Sequence, residues 1–211
     1  AAAQYADKAL AAESANLDAL GVAILAARHR GDGAARDRLL DRLEASDALS
    51  HQARLERLLA ARDPALTMKL ARGIRSELPE QVLLDLAVWY TGVGDLDVAR
   101  QVLEAAGDQP EALYLRASLP GAADSDSLVA RANWLSPRLV FPFRPEVVPA
   151  LQAAARATSS WKPRYYLALA CWGSGRAADA DSLLKALGDQ PDYAPFYAAR
   201  ASFPGRAAAD A

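Results

Sequence analysis

Apolar residues recur along this 211-residue chain mainly at spacings of three and four, with almost no strict alternation. That period belongs to helices that bury one face. Leu86, Ala87 and Tyr90 share a face of one helix; Ala99, Leu103 and Ala106 share a face of the next. Between them Gly94 can take the left-handed backbone that ends the first helix, and Asp95 can cap the second. Pro110 stops the second helix and opens the next unit. The stretch LAVWYTGVGDLDVARQVLEAAGDQP at Leu86–Pro110 returns without a gap as LALACWGSGRAADADSLLKALGDQP at Leu167–Pro191, 81 positions on. Ala87 matches Ala168, Gly94 matches Gly175, Ala99 matches Ala180 and Leu103 matches Leu184. Small residues at Ala87 and Ala99 let the paired axes approach to the low end of the roughly 8–10 Å range. A helix pair that repeats is the signature of an α-solenoid. The expectation is an all-α fold, a right-handed superhelix of about thirteen helices with no sheet.

Elsewhere the same pattern recurs less regularly. Ala2, Ala6 and Ala9 repeat the small-residue spacing, so residues 1–14 read as the second helix of a repeat whose first helix is missing. A unit over Leu17–Asp47 pairs LDALGVAILAARHR with AARDRLLDRLEA across Gly31-Asp32-Gly33. A third pairs SHQARLERLLAAR with ALTMKLARGIRSEL, with Asp63 as cap and Pro64 as first residue of its second helix. After Pro110 the pattern loosens. EALYLRAS is a short helix cut by Leu119-Pro120-Gly121, and RASLPG at Arg116–Gly121 has an echo in RASFPG at Arg200–Gly205. Asp124–Trp134 reads as a capped helix and Pro145–Ala157 as another. Between them LSPRLVFPFR at Leu135–Arg144 holds Pro137 and Pro142, so it cannot be a long helix, and its apolar character has it packing down. Residues 161–191 are the best-formed copy, with Ser159 or Ser160 as cap, and 192–211 begin a further one. Nothing marks a domain boundary, so a single array over 1–211 is expected. The chain opens in mid-pattern, with neither initiator Met nor signal peptide, and reads as a piece of a longer protein.

Composition narrows the chemistry. At 52% apolar the chain can bury a substantial core, and abundant Ala and Leu favour helix. A net charge of −2 provides no general field for nucleic acid or anionic lipid. No apolar run approaches the roughly 20 residues of a membrane span. The single cysteine, Cys171, excludes an intramolecular disulfide and falls where Tyr90 lies in the other copy, facing the helix–helix core as an inert thiol. His29 and His51 lie near opposite ends of successive first helices, about 13 Å apart along parallel axes at 1.5 Å per residue, too far to share a metal. Asp124-Ser125-Asp126-Ser127 opens like a calcium loop but lacks its central Gly and has Leu135 where a closing Glu belongs, so capping is expected. The basic stretch Arg28–Arg42 is interleaved with Asp32, Asp37 and Asp41, a solvated face of ion pairs. No nucleotide fingerprint, cofactor site, metal site or nucleophile–base set is expected.

Leu83, Leu86, Ala87, Tyr90, Gly94, Ala99, Leu103, Ala106 and Pro110, with Leu167, Ala168, Gly175, Ala180, Leu184 and Pro191, follow the order of the 34-residue tetratricopeptide repeat, which this pattern resembles. Cys171 and Leu187 depart from it. More weakly, FPFRPEVVPAL, SSWKPRYYLALACWGSGR and GDQPDYAPFYAARA resemble the carboxy-terminal repeat region of large bacterial proteins. Those carry an uncharacterised amino-terminal domain associated with carbohydrate, and the likeness covers most of residues 80–205. The first resemblance implies a concave surface lined by first helices, whose outward positions would be Lys162, Tyr165, Leu169 and Trp172 in one copy and Gln81, Leu84, Val88 and Thr91 in the other. Lys162, Tyr165, Leu169, Trp172, Leu84 and Val88 are the candidate contact residues. The competing reading packs them under Leu135–Arg144 or against a neighbouring domain. The implied function is a non-catalytic scaffold for a protein, a peptide or another domain of the same chain, with neither nucleic acid nor membrane as partner. The alternative, which the second resemblance implies, is a repeat portion that supports a carbohydrate-active site in a missing domain.

Overall fold

A computed structural model describes residues 2–203. Every regular element among them is helical: thirteen α-helices, one 3-10 turn and no strand. The end of the echo at Arg200–Gly205, and most of the repeat expected over 192–211, lie outside the described residues. The chain forms two compact units, residues 1–105 and 106–211.

The first unit holds α1 (Ala2–Ala12), α2 (Leu17–His29), α3 (Gly33–Ser46), α4 (His51–Ala60), α5 (Leu66–Gly73), α6 (Pro79–Gly92) and α7 (Leu96–Ala105). Sequential helices pack as hairpins, α2 with α3, α4 with α5, and α6 with α7. Contacts also skip one helix, α4 against α6 and α5 against α7. Leu20, Ile24, Leu40, Leu43 and Ala53 form a fully apolar cluster across α2, α3 and α4.

Each hairpin turns on the same backbone device. In the α6–α7 turn the Asp95 N–H donates to the Tyr90 carbonyl at 2.9 Å and the Gly94 N–H to the Thr91 carbonyl at 3.1 Å. This crossed pair closes a helix whose C′ residue is left-handed. Gly94 has φ 84° and the matching Gly175 has φ 78°. The α2–α3 turn repeats the bonds from Asp32 to Ala27 and from Gly31 to Arg28. The α4–α5 turn repeats them from Asp63 to Leu58 and from Arg62 to Leu59, but here the left-handed residue is Arg62, at φ 50°. The aspartate after each turn then accepts from the next segment: Asp32 from the Ala35 N–H, Asp95 from the Val98 N–H and Asp63 from the Ala65 N–H. The last of these corrects the expected start of α5. Asp63 and Pro64 belong to the turn, and the helix begins two residues beyond Pro64, at Leu66.

The second unit holds α8 (Pro110–Ser118), α9 (Ser125–Trp134), the 3-10 turn at Pro145–Val147, α10 (Val148–Ala157), α11 (Lys162–Gly173), α12 (Ala177–Leu187) and α13 (Ala194–Ala201). Here α8 packs with α9 and α10, α11 with α10 and α12, and α13 with α12. The Gln109 side chain caps α8 by accepting from the Ala112 N–H at 2.7 Å. The Asp124 carboxylate does not cap α9 as expected; it accepts from Arg116 at 3.3 Å. Residues 135–144 form no regular element and run as a strap against α11.

Candidate functional site

On the strap, burial alternates with period two. Val140, Pro142 and Arg144 point inward, while Leu139, Phe141 and Phe143 point out, each more than half exposed. Extended backbone produces that alternation, and water would ordinarily be met by its polar face. Here, over residues 139–144, the outward positions Leu139, Phe141 and Phe143 are all apolar. Leu139 has φ 62°, a left-handed conformation costly for a residue with a Cβ, and is 79% exposed. Two anchors hold the beginning of the strap. The Lys162 ammonium donates to the carbonyls of Asn133 at 2.7 Å and of Leu135, and the Tyr193 hydroxyl donates to the Pro137 carbonyl at 3.3 Å. At the other end Phe143 lies against Gly173, where a Cβ would come 3.6 Å from the Phe143 Cβ.

Strap and helix border a shallow, open groove of about 400 Å³ lined by Phe141, Pro142, Phe143, Leu169, Trp172 and Gly173. Trp172, 38% exposed, is steadied by Phe203 at 5.0 Å between ring centres. The Arg144 guanidinium covers the Phe143 ring at 4.4 Å. Near the groove Cys171 is buried, and burial pushes its thiol above the ordinary range, so it presents no thiolate nucleophile.

The candidate residues divide. Trp172 and Leu169 do line a surface together. Tyr165 does not: it is 2% exposed, inside an aromatic cluster with Trp161, Tyr166, Tyr193 and Phe196, all with ring centres within 5.9 Å of its own. Burial raises its phenol to about 12. Leu84 is fully buried, and Val88 is half-buried. The outward positions expected for Tyr165 and Leu84 are therefore corrected. The physical reason is neighbours on several sides: α11 lies between α10 and α12, and α6 contacts α4 and α7. Lys162 clamps the Asn133 carbonyl of α9 and the Leu135 carbonyl at the start of the strap, and burial lowers its pKa.

A buried polar node in the first unit carries no counterpart in the sequence reading. Glu56 of α4 is fully buried. Its carboxylate accepts from the Arg28 Nε at 2.9 Å and from the Tyr90 hydroxyl at 2.8 Å. Arg28 also donates to Asp95 at 2.5 Å, and the His29 Nε2 lies 3.2 Å from the same Asp95 oxygen. Burial pushes the Asp95 carboxyl up, but the hydrogen bond and charge of Arg28 outweigh it and hold it below the ordinary range. Tyr90 is driven well above the usual phenol value by burial and by Glu56. Little in the sequence signals this node: Glu56 falls three residues after Ala53, but α4 also carries His51, Gln52, Arg54 and Arg57, so the glutamate does not stand out. The node joins α2, α4, α6 and the start of α7, and the one guanidinium of Arg28 bridges the two carboxylates of Glu56 and Asp95. In the second unit the matching positions hold Cys171 and Arg176, and Arg176 pairs with Asp179 at 2.7 Å.

Among the described residues no group of three or more His, Cys, Asp or Glu is placed to hold a metal ion, and no helix is long and apolar enough to cross a membrane. No protein-family model matches the sequence, and no curated protein is similar to it.

Proposed function

We propose that the chain is a non-catalytic interaction scaffold of tetratricopeptide-like hairpins, and that it captures a protein or peptide in the groove between the strap and α11. The observation that carries the reading is the outward apolar face of the strap. Burying Leu139, Phe141, Phe143 and Trp172 in the fold would release water from a large apolar area, at about 25 cal/mol per Å². The fold instead pins the strap from below and leaves these side chains outside. Contiguous exposed apolar surface of this kind marks contact sites. Aromatic anchors that seat in a partner's pockets each carry about 2 kcal/mol or more. The helix-skipping contacts α4–α6 and α5–α7 support stacking of hairpins as in a solenoid.

The test is affinity selection of a random peptide display library on the folded protein, followed by titration of the selected peptides against Phe141→Ala/Trp172→Ala. Loss of binding by a double variant with unchanged circular dichroism supports the groove. Unchanged binding moves the surface elsewhere, and turnover of any substrate by the chain overturns the scaffold reading.

A further inference from the structure

A second hollow, of about 290 Å³, lies in the first unit between α1, α2 and α3. There α2 packs against both α1 and α3 and forms the bed between them. The apolar lining includes Leu10, Ala23, Ala26 and Leu39, and the two leucines pack onto the cluster of Leu20, Ile24, Leu40 and Leu43. Unlike the groove beside the strap, this hollow is also lined by charge: Asp7 from α1, Arg30 just past the end of α2, and Arg42 from α3.

These three charges are not answered within the fold. Among the described residues neither Asp7 nor Arg30 enters an ion pair or a side-chain hydrogen bond, and Arg42 donates to the Ser14 carbonyl at 2.9 Å. A carbonyl satisfies the N–H and leaves the positive charge in the field. The neighbours that could have answered them are engaged elsewhere. Asp37 pairs with Arg36, and Asp41 and Glu44 pair with Arg57. Asp32 accepts from the Ala35 N–H, Glu13 accepts from Asn16, and Lys8 lies over the Tyr5 ring. The basic stretch Arg28–Arg42 is therefore a face of ion pairs at Arg28 and Arg36, as expected, and departs from that at Arg30 and Arg42. Opposite charges that line one hollow without meeting are spaced for a ligand that brings both signs.

We propose that the hollow binds a free α-amino acid with an apolar side chain. The carboxylate is held by the open guanidinium fork of Arg30, whose planar donors match that group, while Arg42 adds to the field. The ammonium faces Asp7, and the side chain lies on Leu10, Leu39 and the alanines. A compact ligand fits the volume, which is at the small end of ligand pockets, roughly 300 Å³ and upward. Concave walls over an apolar bed concentrate the field of the charges that line them. Alanine sets the size, because a longer side chain at Ala26 would occupy the hollow. The site lies in the other unit from the strap, so it stands or falls separately from the scaffold reading.

The probes are leucine, isocaproate, isopentylamine and glycine. The first three share one apolar body and differ in charge; glycine has both charges and no apolar body. Each is titrated into the nitrogen-15-labelled chain while the backbone amide resonances are followed. Leucine is expected to move amides of α1, α2 and α3 and to saturate with a dissociation constant of about 1 mM. Isocaproate and isopentylamine should each bind about tenfold more weakly, and glycine should not saturate. Arg30→Gln should weaken leucine about tenfold, and Arg42→Gln by less. Asp7→Asn should weaken leucine about tenfold and leave isocaproate as tight or tighter, a contrast that a general loss of structure would not produce. Ala26→Leu, which fills the hollow and keeps every charge, should abolish binding with circular dichroism unchanged. The Asp7→Asn contrast decides by itself should Ala26→Leu lose its fold. Absence of saturable shifts with leucine, or shifts confined to the second unit, would overturn the proposal. So would isocaproate binding as tightly as leucine, glycine binding as tightly as leucine, or leucine binding undiminished in a folded Ala26→Leu.

Discussion

Arg62 takes the place of a glycine. It sits left-handed at the close of α4, where the matching turns have Gly31 and Gly94. A side chain at that angle strains against the following carbonyl, by about 1–2 kcal/mol. Arg62→Gly is expected to stabilise the protein by up to about 1 kcal/mol, part of the relief being lost to unfolded-chain entropy. Gly94→Ala should cost about 1 kcal/mol in the same urea titration. This residue also explains why the start of α5 was not legible: the glycine that announces the other turns is absent, and Asp63-Pro64 imitates a helix start. Tyr165 yields the second prediction at this scale. Its folded phenol lies at about 12, against about 10 in an unfolded chain. The folded state holds its proton more tightly, so this contribution is complete below pH 10 and is lost as pH rises from about 10 to 12. Thermal melts over that window should show a falling midpoint in the wild type and a shallower fall in Tyr165→Phe.

Between helices, closeness of approach decides what a mutation costs. Ala87 and Ala168 are each 1% exposed, on the faces where α6 meets α7 and α11 meets α12. Leucine at either site has to force the axes apart, at a cost of about 1–3 kcal/mol. The same change at Ala178, exposed on α12, should cost under about 0.5 kcal/mol. Denaturant titration of the three variants checks the register. The hairpins were legible in the sequence because their signals are local: a period near 3.6, a small residue at the crossing, a turn residue after it. Exposure around each helix was not. Pro163, Tyr165, Tyr166, Leu167, Ala168, Ala170 and Cys171 are all buried, so α11 has almost no polar stripe to show which way it faces. The strap was legible only as a segment that cannot be helical. Its outward apolar face depends on which alternate residues turn inward, and Val140 and Phe141 look alike in that respect from sequence alone.

Across the whole molecule the two units use different means of cohesion. The first ties four helices through one buried network, in which Glu56 must satisfy both Arg28 and Tyr90. The second relies on rings, with Tyr165 touching four other aromatic side chains. Buried ionic networks are unforgiving of the loss of one member, whereas apolar clusters yield gradually. Glu56→Ala is therefore expected to cost about 2 kcal/mol, because it leaves the buried Tyr90 hydroxyl without its acceptor and Arg28 with Asp95 as its remaining carboxylate. Calorimetry on the variant checks it, and a loss under about 1 kcal/mol would mean that water reaches the node.

One more property comes from the burial of Cys171. The protein contains one thiol, and the native fold closes it off. A thiol reagent can therefore react only during the brief excursions in which α11 comes away from its neighbours. The labelling rate becomes a clock for those excursions, counting local opening without any engineered cysteine. Ala168→Leu should make the clock run faster, while Arg62→Gly, in the other unit, should leave it alone. A peptide gripping the strap and the end of α11 should slow it, so occupancy of the groove could be timed from inside the protein.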